Sequence, residues 1–213
     1  MTNVRPRARS SRRAEVLRTA ARLFKTHGYR GTSMQQLADA IGLGKGSLYH
    51  HLVSKEELVF EIMMSGLADA ISRIEGVLAD DFLSSADKLQ AAIRILINDL
   101  CDDFDDSIGL AVMTDGHILT PERRAEYVAL RDAYEDRFQA IVESGVASGD
   151  FHECDPSLAT KALLGMCAWT VFWYRREGPL SPDEIADGIS RIALVGIAHP
   201  GEPLVGMTDE RRD

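Results

Sequence analysis

"TSMQQLADAIGLGKGSLYHHL", residues 32–52, holds two short amphipathic runs around a glycine-bearing turn, and its reading decides the fold. Thr32 or Ser33 stands at an N-cap, with Gln35 or Gln36 following in capping-box register. Leu37, Ala38 and Ile41 recur at helical spacing, which predicts a short helix through about Ala40, ended by Gly42. A second helix is predicted over 45–51, with Leu48 turned inward. Two short helices joined by "IGLG" have the dimensions of a helix-turn-helix. The segment before them, about 10–27, lines up Val16, Leu17, Ala20, Ala21, Leu23 and Phe24 on one helical face. With Gly28 just past its end, it supplies the third wall of a small core.

Outward from this unit almost every segment reads helical. Ser54 with Glu57 opens a long helix to about Ala79. Ser84 or Ser85 starts another to about Phe104, and a shorter helix is predicted over 107–118. "TPERR" signals a start at Thr120 and Pro121, for a helix to about Ala147 with Gly149 after it. "DPSLA" repeats the device at Asp155 and Pro156 for a helix to about Arg176, and Ser181, Pro182 and Glu184 open the last, to about Ala198. The expected fold is all-α: a three-helix N-terminal unit and a C-terminal helical bundle, about nine helices in total. The expected organisation is a disordered basic arm (1–9), a helix-turn-helix domain (10–56) continuing into a linking helix to about 79, a body (57–198) and a mobile tail (199–213).

The 213 residues suffice for one or two domains with a real core. The N-terminus is charged and lacks the apolar core of a secretory signal. The longest apolar run, "ALLGMCAWTVFWY" at 162–174, is too short to span a bilayer and predicts a buried helix, so no membrane partner is expected. Cys101, Cys154 and Cys167 show no CxxC spacing, which predicts free thiols in a reducing, cytoplasmic setting. Charge is uneven: residues 1–60 hold 11 Lys+Arg against 4 Asp+Glu, and the remainder 13 against 29. A basic head on an acidic body predicts that the head meets a polyanion. A solvated arm is the alternative, since Arg5, Arg7, Arg9, Arg12 and Arg13 supply much of the excess.

Such a unit enters the major groove by the N-terminal end of its second helix, where this chain places Lys45, Gly46 and Ser47. The small residues allow close backbone approach, and the exposed helix N–H groups favour a phosphate. Lys45 suits a phosphate or a guanine edge, and Ser47 either kind of acceptor. Tyr49 and His50 can hydrogen-bond phosphate oxygens while packing on sugar, and Lys55 can clamp the backbone. Thr32, Ser33, Gln35 and Gln36 complete the candidate DNA-facing set.

These residues carry a resemblance. Phe24, Gly28, Thr32–Ser33, Leu37–Ala38, Gly42, the run Lys45 to His51, and Ser54–Lys55–Glu56 resemble the N-terminal domain of TetR-type transcriptional repressors over roughly residues 10–70. One departure is Gly44, where the family commonly has Ser or Thr, so a side-chain contact to phosphate is missing. The resemblance implies a homodimer, a C-terminal domain that binds a small effector, and a four-helix dimer interface built by the last two long helices. "WYRREGPLSPDEIADGI" is similar to a subgroup of actinobacterial TetR-type regulators of lipid and sterol catabolism, which implies an acyl or acyl-CoA-like effector. The expectation is a ligand-responsive regulator, a repressor released from operator DNA. The rivals are a helical-bundle enzyme and a protein-binding scaffold with a basic arm.

The 162–174 helix is apolar on nearly all sides and needs cover from a partner or a ligand. Trp169, Phe172 and Trp173, with Ile185, Ile189 and Ile192 of the last helix, are the expected dimer interface. Met63, Leu67, Phe104, Met113, Tyr134, Phe138 and Met166 are candidates to line an adaptable apolar pocket, with His117 and Arg94 as polar anchors. No HxxxH spacing occurs among the six histidines, and "CDDFDDS" lacks the glycine and final acid of a calcium loop, so no metal is expected. No phosphate loop or nucleophile elbow is present, so neither a cofactor nor catalysis is expected.

Overall fold

The computed structural model describes residues 6–42, 54–101 and 118–197. Among them run α1 (Pro6–Gly31), α2 (Met34–Ile41), α3 (Lys55–Leu78), α4 (Ser85–Cys101), α5 (Pro121–Ser148), α6 (Pro156–Ala168), α7 (Thr170–Trp173) and α8 (Pro182–Ile197). The expected helices over 45–51 and 107–118 fall outside the described residues, 118 itself excepted. The starts follow local chemistry. Ser33, Ser54 and Thr120 each accept from the backbone N–H three residues on, and Asp155 accepts from Ser157 and Leu158. Such caps satisfy amides that the first helical turn leaves unpaired. Gly28 has φ 71° and ψ 161°, a conformation open essentially to glycine, and it breaks α1 before a last short turn.

Two clusters of buried side chains hold the chain together. The first joins Val16, Ala20, Ala21 and Phe24 of α1, Leu37, Ala38 and Ile41 of α2, and Leu58, Val59, Ile62 and Met63 of α3. Ile118 and Leu119, distant in sequence, are buried in this same cluster. The second joins Ala70, Ile71 and Ile74 of α3 to Leu89, Ile93 and Ile97 of α4, Tyr134, Phe138 and Ile141 of α5, and parts of α6 and α8. α3 therefore contributes to both cores. Its 24 residues make a rod of about 36 Å between them.

The helix expected from Asp155 to about Arg176 is interrupted. α6 stops at Ala168, and Tyr174, with ψ 138°, ends α7. Phe172 N donates to Trp169 O at 3.1 Å, three residues back, so the chain tightens at this point. The cause lies in the sequence "WTVFW": β-branched and aromatic residues are poor helix formers. The break buries Thr170 and leaves Trp169, Phe172 and Trp173 exposed.

Candidate nucleic-acid interface

α2 presents Ser33, Gln35 and Gln36 at the surface. Ser33 Oγ accepts from Gln36 N at 3.2 Å, and Ser33 N donates to Gln36 Oε1 at 2.7 Å. Gln35 Nε2 donates to Asp39 Oδ1 at 2.8 Å. The Gln36 amide hydrogens are the groups this capping box does not use. Lys45, Gly46, Ser47, Tyr49 and His50 lie outside the described residues.

Two expectations change at the corner between α1 and α2. Thr32 is only 2% exposed, and its hydroxyl donates to Gly28 O at 2.9 Å, with Leu23 O at 3.2 Å. Its side chain points into the protein and staples the corner, so it does not reach DNA as expected. Lys55 was expected on the DNA backbone. Its Nζ instead donates to Tyr29 O at 2.6 Å and Thr32 O at 2.9 Å, and lies 4.2 Å from the Tyr29 ring centroid. An ammonium has three hydrogens, so one is left for a phosphate. Burial lowers the Lys55 pKa. Burial, and then the Glu56 charge, raise that of Tyr29. Sequence reasoning missed Tyr29, because no local rule says which lysine will sit on its carbonyl.

The pocket candidates do not gather at one place. Tyr134 and Phe138 form an edge-on pair, centroids 5.3 Å apart, in the second core, and Leu67 packs against that core. Met63 is buried in the first core, whereas Met166 is exposed on α6. These two are therefore corrected as members of a single lining. Phe104, Met113 and His117 lie outside the described residues. A cavity of about 500 Å³ opens beside α4, lined by Arg73, Asp87, Gln90, Ala91, Arg94, Ile95 and Asn98. Arg94 there is held by Asp183 and Asp187 of α8, and Arg73 by Asp99, so ion pairs take up the charges beside this open groove.

Trp169, Phe172, Trp173 and Ile192 are all exposed, as an interface requires. Ile185 is not: it is 4% exposed within the second core, and Ile189 packs partly against the same core. The expectation for Ile185 is corrected, because the helical phase turns Ile185 and Ala186 inward and Ile192 and Val195 outward. Burial pushes the Cys101 thiol up to about 11 and that of Cys167 to about 12, so neither is a thiolate at neutral pH. Among the described residues there is no group of three or more His, Cys, Asp or Glu able to hold a metal. No helix among them is long and apolar enough to cross a membrane.

Residues 16–62 match the family model described as "Bacterial regulatory proteins, tetR family", and residues 83–197 match "Tetracyclin repressor-like, C-terminal domain". The chain belongs to the TetR family. It is a DNA-binding transcriptional regulator, not an enzyme. TetR-family relatives span nearly its whole length. KstR2 of Rhodococcus jostii (strain RHA1), an HTH-type transcriptional repressor, is 32% identical over 196 residues, covering 90% of this chain and 94% of its own. Among solved structures, PfmR of Thermus thermophilus is 33% identical with a TM-score of 0.76, covering 84% of this chain and 97% of its own. AibR, in complex with isovaleryl coenzyme A and operator DNA, is 30% identical with a TM-score of 0.74, covering 85% of this chain and 97% of its own.

Proposed function

We propose that this TetR-family chain is a cytoplasmic repressor that leaves its operator when an acyl-type effector binds its body. The observation that carries the reading is α3, which is buried in both cores and so moves with both. The head of this reading is residues 10–56, with Lys45, Gly46, Ser47, Tyr49 and His50 toward DNA and Ser33, Gln35 and Gln36 beside them. The body is 57–198, with the effector toward Leu67, Tyr134 and Phe138. The repressor sign is supported by KstR2, a repressor, and the effector class by AibR, whose complex holds isovaleryl coenzyme A. Two copies pair through the exposed face of α6, α7 and α8.

An effector shifts this equilibrium only by the difference in its affinity for the released and DNA-bound forms. Moving the population from 1:99 to 99:1 takes a preference of about 10⁴. The test is fluorescence anisotropy on duplexes from the chain's own upstream region, titrated with short- and long-chain acyl-CoA thioesters. Operator affinity should fall with one of them, and the operator should weaken that thioester by the same factor. Equal thioester affinity in free and bound protein would exclude that compound as effector. Failure to bind any duplex would remove the regulatory reading.

A further inference from the structure

The helix starts of this fold differ in one respect. In α2, α4 and α8 the capping box closes locally: the N-cap N–H donates to Gln36, Asp87 and Glu184 respectively. At α5 it does not. Thr120 accepts from Arg123 N at 3.4 Å, but a guanidinium three residues past the cap has no acceptor to return. The acceptor comes from α3 instead. Thr120 N donates to Glu56 Oε1 at 2.9 Å, and the same carboxylate oxygen lies 3.5 Å from Arg123 Nη1. The Arg123 guanidinium stands 5.3 Å from the Phe60 ring centroid, again on α3. Ile118 and Leu119, just before the cap, are buried in the first core.

Neighbouring residues in the first turn of α3 thus hold two different bodies. Lys55 holds the carbonyls of the α1–α2 corner. Glu56 holds the N-terminus of α5, whose later turns carry Tyr134 and Phe138 into the second core. A hydrogen bond of 2.9 Å is lost with a shift of less than about 1 Å. The contact therefore persists only while the head and α5 keep one relative position.

We propose that Glu56 is the positioning residue that couples the DNA-binding head to the body, by completing the N-cap of α5 from α3. The proposal rests on the regulatory reading above and names the contact through which the two ends communicate. Operator occupancy then fixes α3, α3 fixes Glu56, and Glu56 fixes the first turn of α5.

The test is hydrogen exchange by mass spectrometry on the full chain, free and bound to a duplex that the protein itself selects from a random pool. Glu56→Ala removes the acceptor. Glu56→Gln keeps an acceptor for Thr120 N–H and removes the charge toward Arg123. In the wild-type chain, DNA should slow exchange over 118–128 by about tenfold, within the usual range of coupling between sites. In bound Glu56→Ala that slowing should fall below about twofold, while slowing over 34–41 persists, and Glu56→Gln should recover most of it. Unchanged rates over 134–146 show that the body is folded. If Glu56→Ala loses that protection, the pair Glu56→Ala and Arg123→Gln decides. Their effects on the slowing should be non-additive, and additive effects overturn the joint. Full slowing over 118–128 in bound Glu56→Ala, or none in the bound wild type, also overturns the joint and leaves DNA binding standing. Failure of the wild-type chain to select any duplex removes the regulatory reading and this proposal together.

Discussion

At Gly145 a single hydrogen decides whether α5 can pack against the turn that follows it. A Cβ there would come within 2.2 Å of a Phe151 ring carbon. The ring has little room to move: Phe151 is 1% exposed, and its N–H donates to Gly145 O at 3.0 Å. Glycine to alanine inside a helix gains up to about 1 kcal/mol by propensity, whereas overpacking a core costs about 1–3 kcal/mol. The clash should win, and Gly145→Ala should lower stability by about 1–2 kcal/mol in a urea melt. A higher midpoint would mean that the ring yields. Lys55 poses the same kind of question with charge. If it mainly holds Tyr29 O and Thr32 O, Lys55→Met should cost roughly 1.5–3 kcal/mol in DNA-free protein, the range for hydrogen bonds to charged groups. Arginine should rescue poorly, because its planar fork does not reproduce a point ammonium between two carbonyls. A lysine serving only a DNA phosphate would leave the DNA-free midpoint unmoved.

The helices show what a sequence can and cannot disclose. The starts at Ser33, Ser54, Thr120, Asp155 and Ser181 were legible because a cap is a contract between residues two or three apart. Register against a distant core is not local. Ile185, Ile189 and Ile192 look alike along the chain, yet one is core, one is half-covered and one faces out. Lys55 reads as a surface group for the same reason: the Tyr29 and Thr32 carbonyls that engage it are set by how the α1–α2 corner meets α3, whereas Thr32 turns back onto Gly28 O and Leu23 O of its own α1. The break at Trp169 was written in "WTVFW", but the run's hydrophobicity masked its poor helix propensity. The caps also carry a pH signature. Hydrogen bonds from Ser181 hold the Glu184 carboxylate below its ordinary pKa of 4.5, and bonds from Ser84 hold Asp87 below 3.8. A depressed folded-state pKa adds stability above the ordinary value, which is lost as pH falls through the folded one. Thermal melts from pH 6 to pH 3 should therefore show a shallower acid limb for Glu184→Gln than for the parent chain. Parallel limbs would mean that the unfolded chain holds this carboxylate equally well.

Across the whole molecule, the large apolar side chains left exposed among the described residues lie mostly between residues 158 and 195. Leu158 and Met166 of α6, Trp169, the aromatics Phe172 and Trp173 of α7, and Ile192 and Val195 of α8 are all exposed. Trp169 and Phe172 already touch each other, ring centroids 4.7 Å apart and planes tilted by 39°. A stable interface hides about 800 Å² per partner, and a buried aromatic supplies about 150–250 Å² of it. Three aromatics and four aliphatic side chains are therefore of the right scale for a second copy of this chain. Two copies would also set two helix-turn-helix units about 34–36 Å apart, one turn of DNA, or further. Trp169→Asp combined with Ile192→Asp should give a folded monomer by light scattering, since neither side chain belongs to the second core. Ile185→Asp should behave differently and unfold the chain, because that side chain is 4% exposed in the core. Operator binding should separate the monomer from the parent. The logarithm of affinity falls linearly with the logarithm of salt concentration, with a slope proportional to the phosphates neutralised. The dimer should then show about twice the slope of the monomer, beside a large loss of affinity in the variant. A monomeric variant with the parent's slope and affinity would mean that one head reads the operator and that the apolar face serves some other partner.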